Sequence, residues 1–84
     1  MPEGLNDEIR EIIATTLALD EHAVAPDLTQ NNCARWTSLN HMLLMVALEE
    51  RFSVTLSMNE MLSMVSVPRI VEVLRGHAVA APVR

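Results

Sequence analysis

The strongest constraint on this chain lies between Thr37 and Phe52. A hydroxyl pair, Thr37-Ser38, opens the run, seven consecutive apolar residues from Met42 to Leu48 fill its middle, and Glu49, Glu50, Arg51 and Phe52 close it. This pattern predicts one helix, with Thr37 as its N-cap and Ser38 as its first helical residue. Its apolar residues fall into two stripes: Leu39, Met42, Leu43 and Val46 form one, and Leu44, Met45, Leu48 and Phe52 the other. A helix apolar nearly all round is either central to its fold or keeps a face for a partner. Seven apolar residues are far fewer than the roughly 20 that a membrane helix needs.

The rest of the chain suits aliphatic helix packing. Half of its 84 residues are hydrophobic, yet Trp36 and Phe52 are the only aromatics, and it has six Met and two Gly. A β-sandwich would want more aromatics and turn glycines. The length allows one small domain with a modest core. Cys33 has no second cysteine to pair with, and no Cys/His set has metal-ligand spacing. A lone thiol fits a reducing compartment. The start, Met1 to Leu5, lacks the basic and apolar blocks of a signal peptide, and the expectation is a soluble, cytoplasmic protein. A net charge of −5 without a basic cluster argues against nucleic acid and anionic membrane as partners.

Ile9, Ile12, Ile13, Thr16 and Leu17 recur at helical spacing behind Asn6, Asp7 and Glu8. They predict a first helix from Asp7 to Leu19, capped by Asn6, with its acids where the helix dipole favours them. The stretch from Asp20 to Trp36 has no period and carries Pro26 and several Asp and Asn, so it reads as a long connection anchored by Val24 and Leu28. Ser53 to Leu56 reads as an extended connector with Leu56 turned inward. Ser57 and Glu60 make a capping-box pattern that opens a short third helix, Met58 to Met64. Ser66 caps the last helix, Pro68 lies in its first turn, Val67, Ile70, Val71 and Leu74 form its buried stripe, and Gly76 ends it. The expected architecture is an all-α four-helix bundle, three main helices and a short third one, in a domain spanning 1–76 with a mobile tail over 77–84.

Several side chains are candidates for chemistry. Ser38 with His41, three residues on, could form a nucleophile and base, but no strand or G-x-S-x-G elbow precedes the serine, so a small hydrolase is the weakest reading. Cys33 near Arg35 could be activated, but nothing else supports reactivity and a passive loop thiol is the stronger reading. His22, His41 and His77 are scattered and read as surface histidines. The Met residues read mostly as adaptable core fill. Trp36 is either a loop anchor or a partner contact. Glu49 and Glu50 sit at the helix end that the dipole disfavours for anions, which gives weight to a role in guiding a partner.

Ser38-Leu39, the apolar run Met42 to Leu48, Glu49-Glu50 and then Phe52 resemble the acyl carrier protein family, the phosphopantetheine-bearing domains of fatty acid, polyketide and nonribosomal peptide synthesis. The resemblance extends from about Ile9 to Leu74, including the connector, the short third helix and the hydroxyl that opens the last one. It implies that Ser38 receives 4′-phosphopantetheine from coenzyme A through a phosphopantetheinyl transferase, and that the arm carries acyl or aminoacyl groups as thioesters. It further implies a non-catalytic protein, monomeric when free, served by a loading ligase or acyltransferase and a downstream synthase or transferase. The family commonly has Gly-x-Asp before the serine, where this chain has Arg35, Trp36 and Thr37. Acidic positions of the family's second and third helices fall here on Asn40, Leu43 and Leu62. The expected recognition face, Trp36, Thr37, Asn40, Leu43, Ala47, Glu49, Glu50 and Leu62, is therefore more apolar than that of a fatty acid carrier, which points to a discrete carrier in a specialised pathway. Leu39, Val46, Phe52, Leu56 and Ile70 are assigned to the core. The rival reading is an unmodified helical module that binds partners through the second helix.

Overall fold

The computed structural model describes residues 7–77. The leader, the Asn6 cap and all of the expected tail except His77 lie outside them. Four helices follow in order: α1 (Asp7–Leu17), α2 (Ser38–Phe52), α3 (Met58–Ser63) and α4 (Val67–Gly76). Two single 3-10 turns, Glu21–Ala23 and Gln30–Asn32, break up the long connection between α1 and α2.

The starts of α2, α3 and α4 each follow from a side-chain oxygen that takes an otherwise unpaired N–H. Thr37 accepts from Asn40 N–H, Ser57 from Glu60 N–H, and Ser66 from Arg69 N–H. Glu60 completes the box at α3 by accepting Ser57 N–H at 2.9 Å. The helix ends were harder to foresee. α1 stops at Leu17 rather than Leu19 because Ala18 turns left-handed, with φ 57°. Leu19 N–H then reaches back to the Ala14 carbonyl at 2.8 Å, and Ala18 N–H to that of Thr15 at 3.4 Å, which closes the helix by a Schellman-type pair. Ser53 does the same for α2 with φ 56°. α3 ends at Ser63 with Met64 as its cap, and Gly76 is the last residue of α4 with His77 as cap.

Apart from Trp36, the buried core is aliphatic. Ile9, Ile13 and Leu17 of α1 meet Leu44, Met45 and Leu48 of α2 and Ile70, Val71 and Leu74 of α4, with Leu56 and Met64 closing one side. Phe52, half-buried, packs against this cluster, as do Leu28 and Met61. Only one of the two stripes on α2 is buried. Leu39 and Val46, expected in the core, face solvent, and Leu39 is 69% exposed. Both stripes have helical spacing, so the period alone does not say which one the core covers.

The long connection is strapped across the bundle. Asp20 and Thr29 cap its two 3-10 turns. Gln30 N–H donates to the Val65 carbonyl and Val67 N–H to that of Leu28, both at 2.9 Å. Its second half is thereby fixed against the start of α4. On the opposite side, Arg51 of α2 reaches Glu8 at 2.8 Å and Glu11 at 3.3 Å on α1. Those carboxylates, Glu8 hydrogen-bonded first among them, hold the guanidinium pKa above its usual value.

Candidate site at the start of the second helix

Three consecutive residues deliver the chain into α2, and each is tied back to it. Arg35 offers its carbonyl to the Asn40 side-chain amide at 2.8 Å. Thr37 accepts Asn40 N–H on its hydroxyl at 3.1 Å and His41 N–H on its carbonyl at 2.8 Å. Trp36 is buried, only 2% exposed, and its indole N–H donates to His41 Nδ1 at 3.0 Å. The two rings stack, with centroids 6.2 Å apart and planes 27° from parallel. The Arg-Trp-Thr stretch is therefore a fixed entry to the helix.

Ser38 stands immediately after this anchor, exposed, as the first residue of α2. Its hydroxyl makes no hydrogen bond with any described residue, and neither Ser38 N–H nor Leu39 N–H meets an acceptor among them. A free hydroxyl beside open N–H groups at the positive end of a 15-residue helix suits a phosphate ester.

His41 is not the surface residue expected. It is buried, with Nδ1 engaged by Trp36 and Nε2 2.8 Å from the Met61 carbonyl of α3. Both ring nitrogens are occupied away from Ser38, so the Ser38/His41 pair does not form a nucleophile and its base. The signal was present in the sequence: His41 precedes Leu44 by three residues and Met45 by four, in phase with the buried stripe.

The expected recognition set divides. Leu43 is exposed on α2 and Leu62 on α3, the latter by 66%. Thr37 is exposed but serves as cap, and Asn40 is half-buried and holds Arg35. Trp36 is buried and presents no surface, because its N–H is consumed inside the fold. Ala47 packs against the core and, with Glu50 and Arg51, lines a groove toward Thr15 and Thr16 of α1, away from α3. Glu49 is half-buried and accepts Leu56 N–H. Glu50 alone among the charged groups of α2 has no partner in the described residues. Cys33 is a half-buried free thiol packed against the core.

The family model described as "phosphopantetheine attachment site" matches residues 7–74, nearly the whole described structure. The chain belongs to the phosphopantetheine attachment site family. No curated protein matches it. The family's domain is where 4′-phosphopantetheine is covalently attached, and its members generally act as carriers without catalysis of their own, as acyl carrier proteins do. The helical bundle seen here agrees with that membership. Carrier domains of the family work with phosphopantetheinyl transferases and with synthase or transferase enzymes. No helix among the described residues is long and apolar enough to cross a membrane.

Proposed function

We propose that Ser38 carries the phosphopantetheine arm and that the chain holds acyl or aminoacyl intermediates as thioesters on it. What supports Ser38 is a comparison of the five serines. Ser57 and Ser66 use their hydroxyls as helix caps, and Ser63 donates its hydroxyl to the Glu60 carbonyl at 2.9 Å. Ser53 lies at the C-terminal end of α2, where the helix dipole repels an anion. Ser38 has a free hydroxyl at the opposite end, where the dipole and the open N–H groups favour a phosphodiester. The group supplies a thiol at the end of a long arm, and this protein's residues contribute a fixed, exposed point of attachment.

The partner surface in this reading is the exposed stripe of α2, Leu39, Met42, Leu43 and Val46, together with the exposed Met58 and Leu62 of α3. From Ser38 to Leu48 α2 has no Asp, Glu, Lys or Arg. Glu49 and Glu60 are drawn into hydrogen bonds within the fold, which leaves Glu50, one turn past Val46, as the one carboxylate of α2 without a partner among the described residues. The surface thus suits an apolar patch on a transferase, a loading ligase or acyltransferase, or a downstream synthase. Such a face favours a dedicated carrier of polyketide- or nonribosomal-type biosynthesis in the cytoplasm over a fatty acid carrier that meets many enzymes by charge. The test is intact mass after incubation with coenzyme A and a broad-range phosphopantetheinyl transferase, with Ser38→Ala alongside. Wild type gains the arm and the variant does not; no gain with several transferases would end the proposal.

A further inference from the structure

We propose that His41 is the positioning residue that sets α3 against α2, in register with the loop that presents Ser38. α3 has six residues and none of them is fully buried. Met61 contributes half-buried packing, and polar links supply the rest of its hold. Two run to α4 and its cap: Glu60 to His77 at 3.0 Å, and Ser63 to Arg69 at 3.3 Å. Among the described residues, the hydrogen bond from His41 to the Met61 carbonyl is the one that joins α3 to α2.

The donor chemistry makes this bond and the one from Trp36 compatible. An indole N–H only donates, so His41 Nδ1 must accept from it. The proton of the neutral ring then sits on Nε2, where it donates to the Met61 carbonyl. One tautomer satisfies both contacts, and Trp36, two residues before Ser38, and the Met61 carbonyl select it together. The Met61 carbonyl also receives Met64 N–H at 3.3 Å, so His41 shares in capping the last turn of α3. Met58 and Leu62, the exposed apolar residues of α3, therefore take their position relative to α2 from a buried histidine. This role rests on the reading of that face as the docking surface.

The experiment uses the full chain, labelled with nitrogen-15. Long-range proton–nitrogen spectra should show His41 protonated at Nε2 and the Trp36 indole proton slow to exchange. Trp36→Phe removes the donor while keeping an aromatic ring; the Met61 carbonyl alone then holds the Nε2–H form, and amide exchange in α3 should rise. In His41→Leu, amide exchange across Met58–Ser63 should rise roughly tenfold while α4 keeps its protection, the size expected for losing a buried hydrogen bond. With coenzyme A and a transferase, KM for His41→Leu should rise about threefold or more at unchanged kcat. Protonation at Nδ1 in wild type, unchanged α3 exchange in both variants, or an unchanged KM in a folded His41→Leu would overturn the proposal. If wild type takes no arm, the Ser38 reading fails, while the tautomer and exchange data still decide the role of His41.

Discussion

Glu49 Oε2 accepts the backbone N–H of Leu56 at 2.9 Å. The bond folds the connector after Ser53 back along α2 and seats Leu56 in the core, where it is 4% exposed. The carboxylate is thus a structural acceptor, although its place in the Leu-Glu-Glu pattern marks it for recognition. Replacing Glu49 with Ala leaves that N–H unpaired and should cost about 1–2 kcal/mol in urea unfolding. The transferase KM should stay within about twofold of wild type if the carboxylate serves the fold, as its bond to Leu56 implies, and not the partner.

The two stripes of α2 give a sharper contrast. Leu44 is fully buried and Leu43 is half exposed, although they are neighbours with the same side chain. Leu44→Ala should destabilise the fold by about 2–5 kcal/mol, whereas Leu43→Ala should change stability by no more than about 0.5 kcal/mol. The order reverses in the KM of arm transfer, where only Leu43→Ala should raise KM among folded variants. Chemical unfolding and transferase kinetics on the same pair check both halves.

Acid sensitivity should centre on α3. The backbone N–H of Ser57 is the main reason that the Glu60 carboxyl lies below the usual carboxylate range, with protonated His77 adding to it. A carboxyl depressed by folding stabilises the native state above its unfolded value, about 4.3 for Glu, and loses that contribution as pH falls through the lower folded value. Glu60→Gln keeps an acceptor for Ser57 but has no charge to titrate. Its melting temperature should therefore fall less steeply than that of wild type below about pH 4.3. Parallel curves would remove Glu60 from the account.

Salt should matter little to docking. The exposed apolar stripe from Leu39 to Val46 carries no charge and meets only Glu50 one turn beyond it, so association with a transferase should change by less than about threefold between low and physiological ionic strength. A steep loss of on-rate, read by stopped-flow, would instead indicate a charged interface.

Much of this fold was legible before the structure. Cap residues Thr37, Ser57 and Ser66 and the spacing of Ile9, Ile12 and Ile13 locate all four helices, because capping and amphipathic period are local properties. The helix ends at Leu17 and Ser63 were not, since Ala18 at positive φ carries no residue signal such as glycine. The buried face of α2 was also hidden, because both stripes obey one period and only α1 and α4 decide between them. The phase of His41 with Leu44 and Met45 pointed inward, but its pairing with Trp36 and Met61 joins loop, α2 and α3, which no single segment encodes. Ser38 was legible from its place at the helix start, and the structure adds that its hydroxyl is left unused.

The account stands or falls on where the arm is attached. The direct measurement is peptide mapping by tandem mass spectrometry after transfer from coenzyme A to the full chain, with each of the five serines resolved. The phosphopantetheine mass should fall on Ser38 alone and vanish in Ser38→Ala. Modification at Ser53 or any other serine, or its persistence in that variant, would contradict the account.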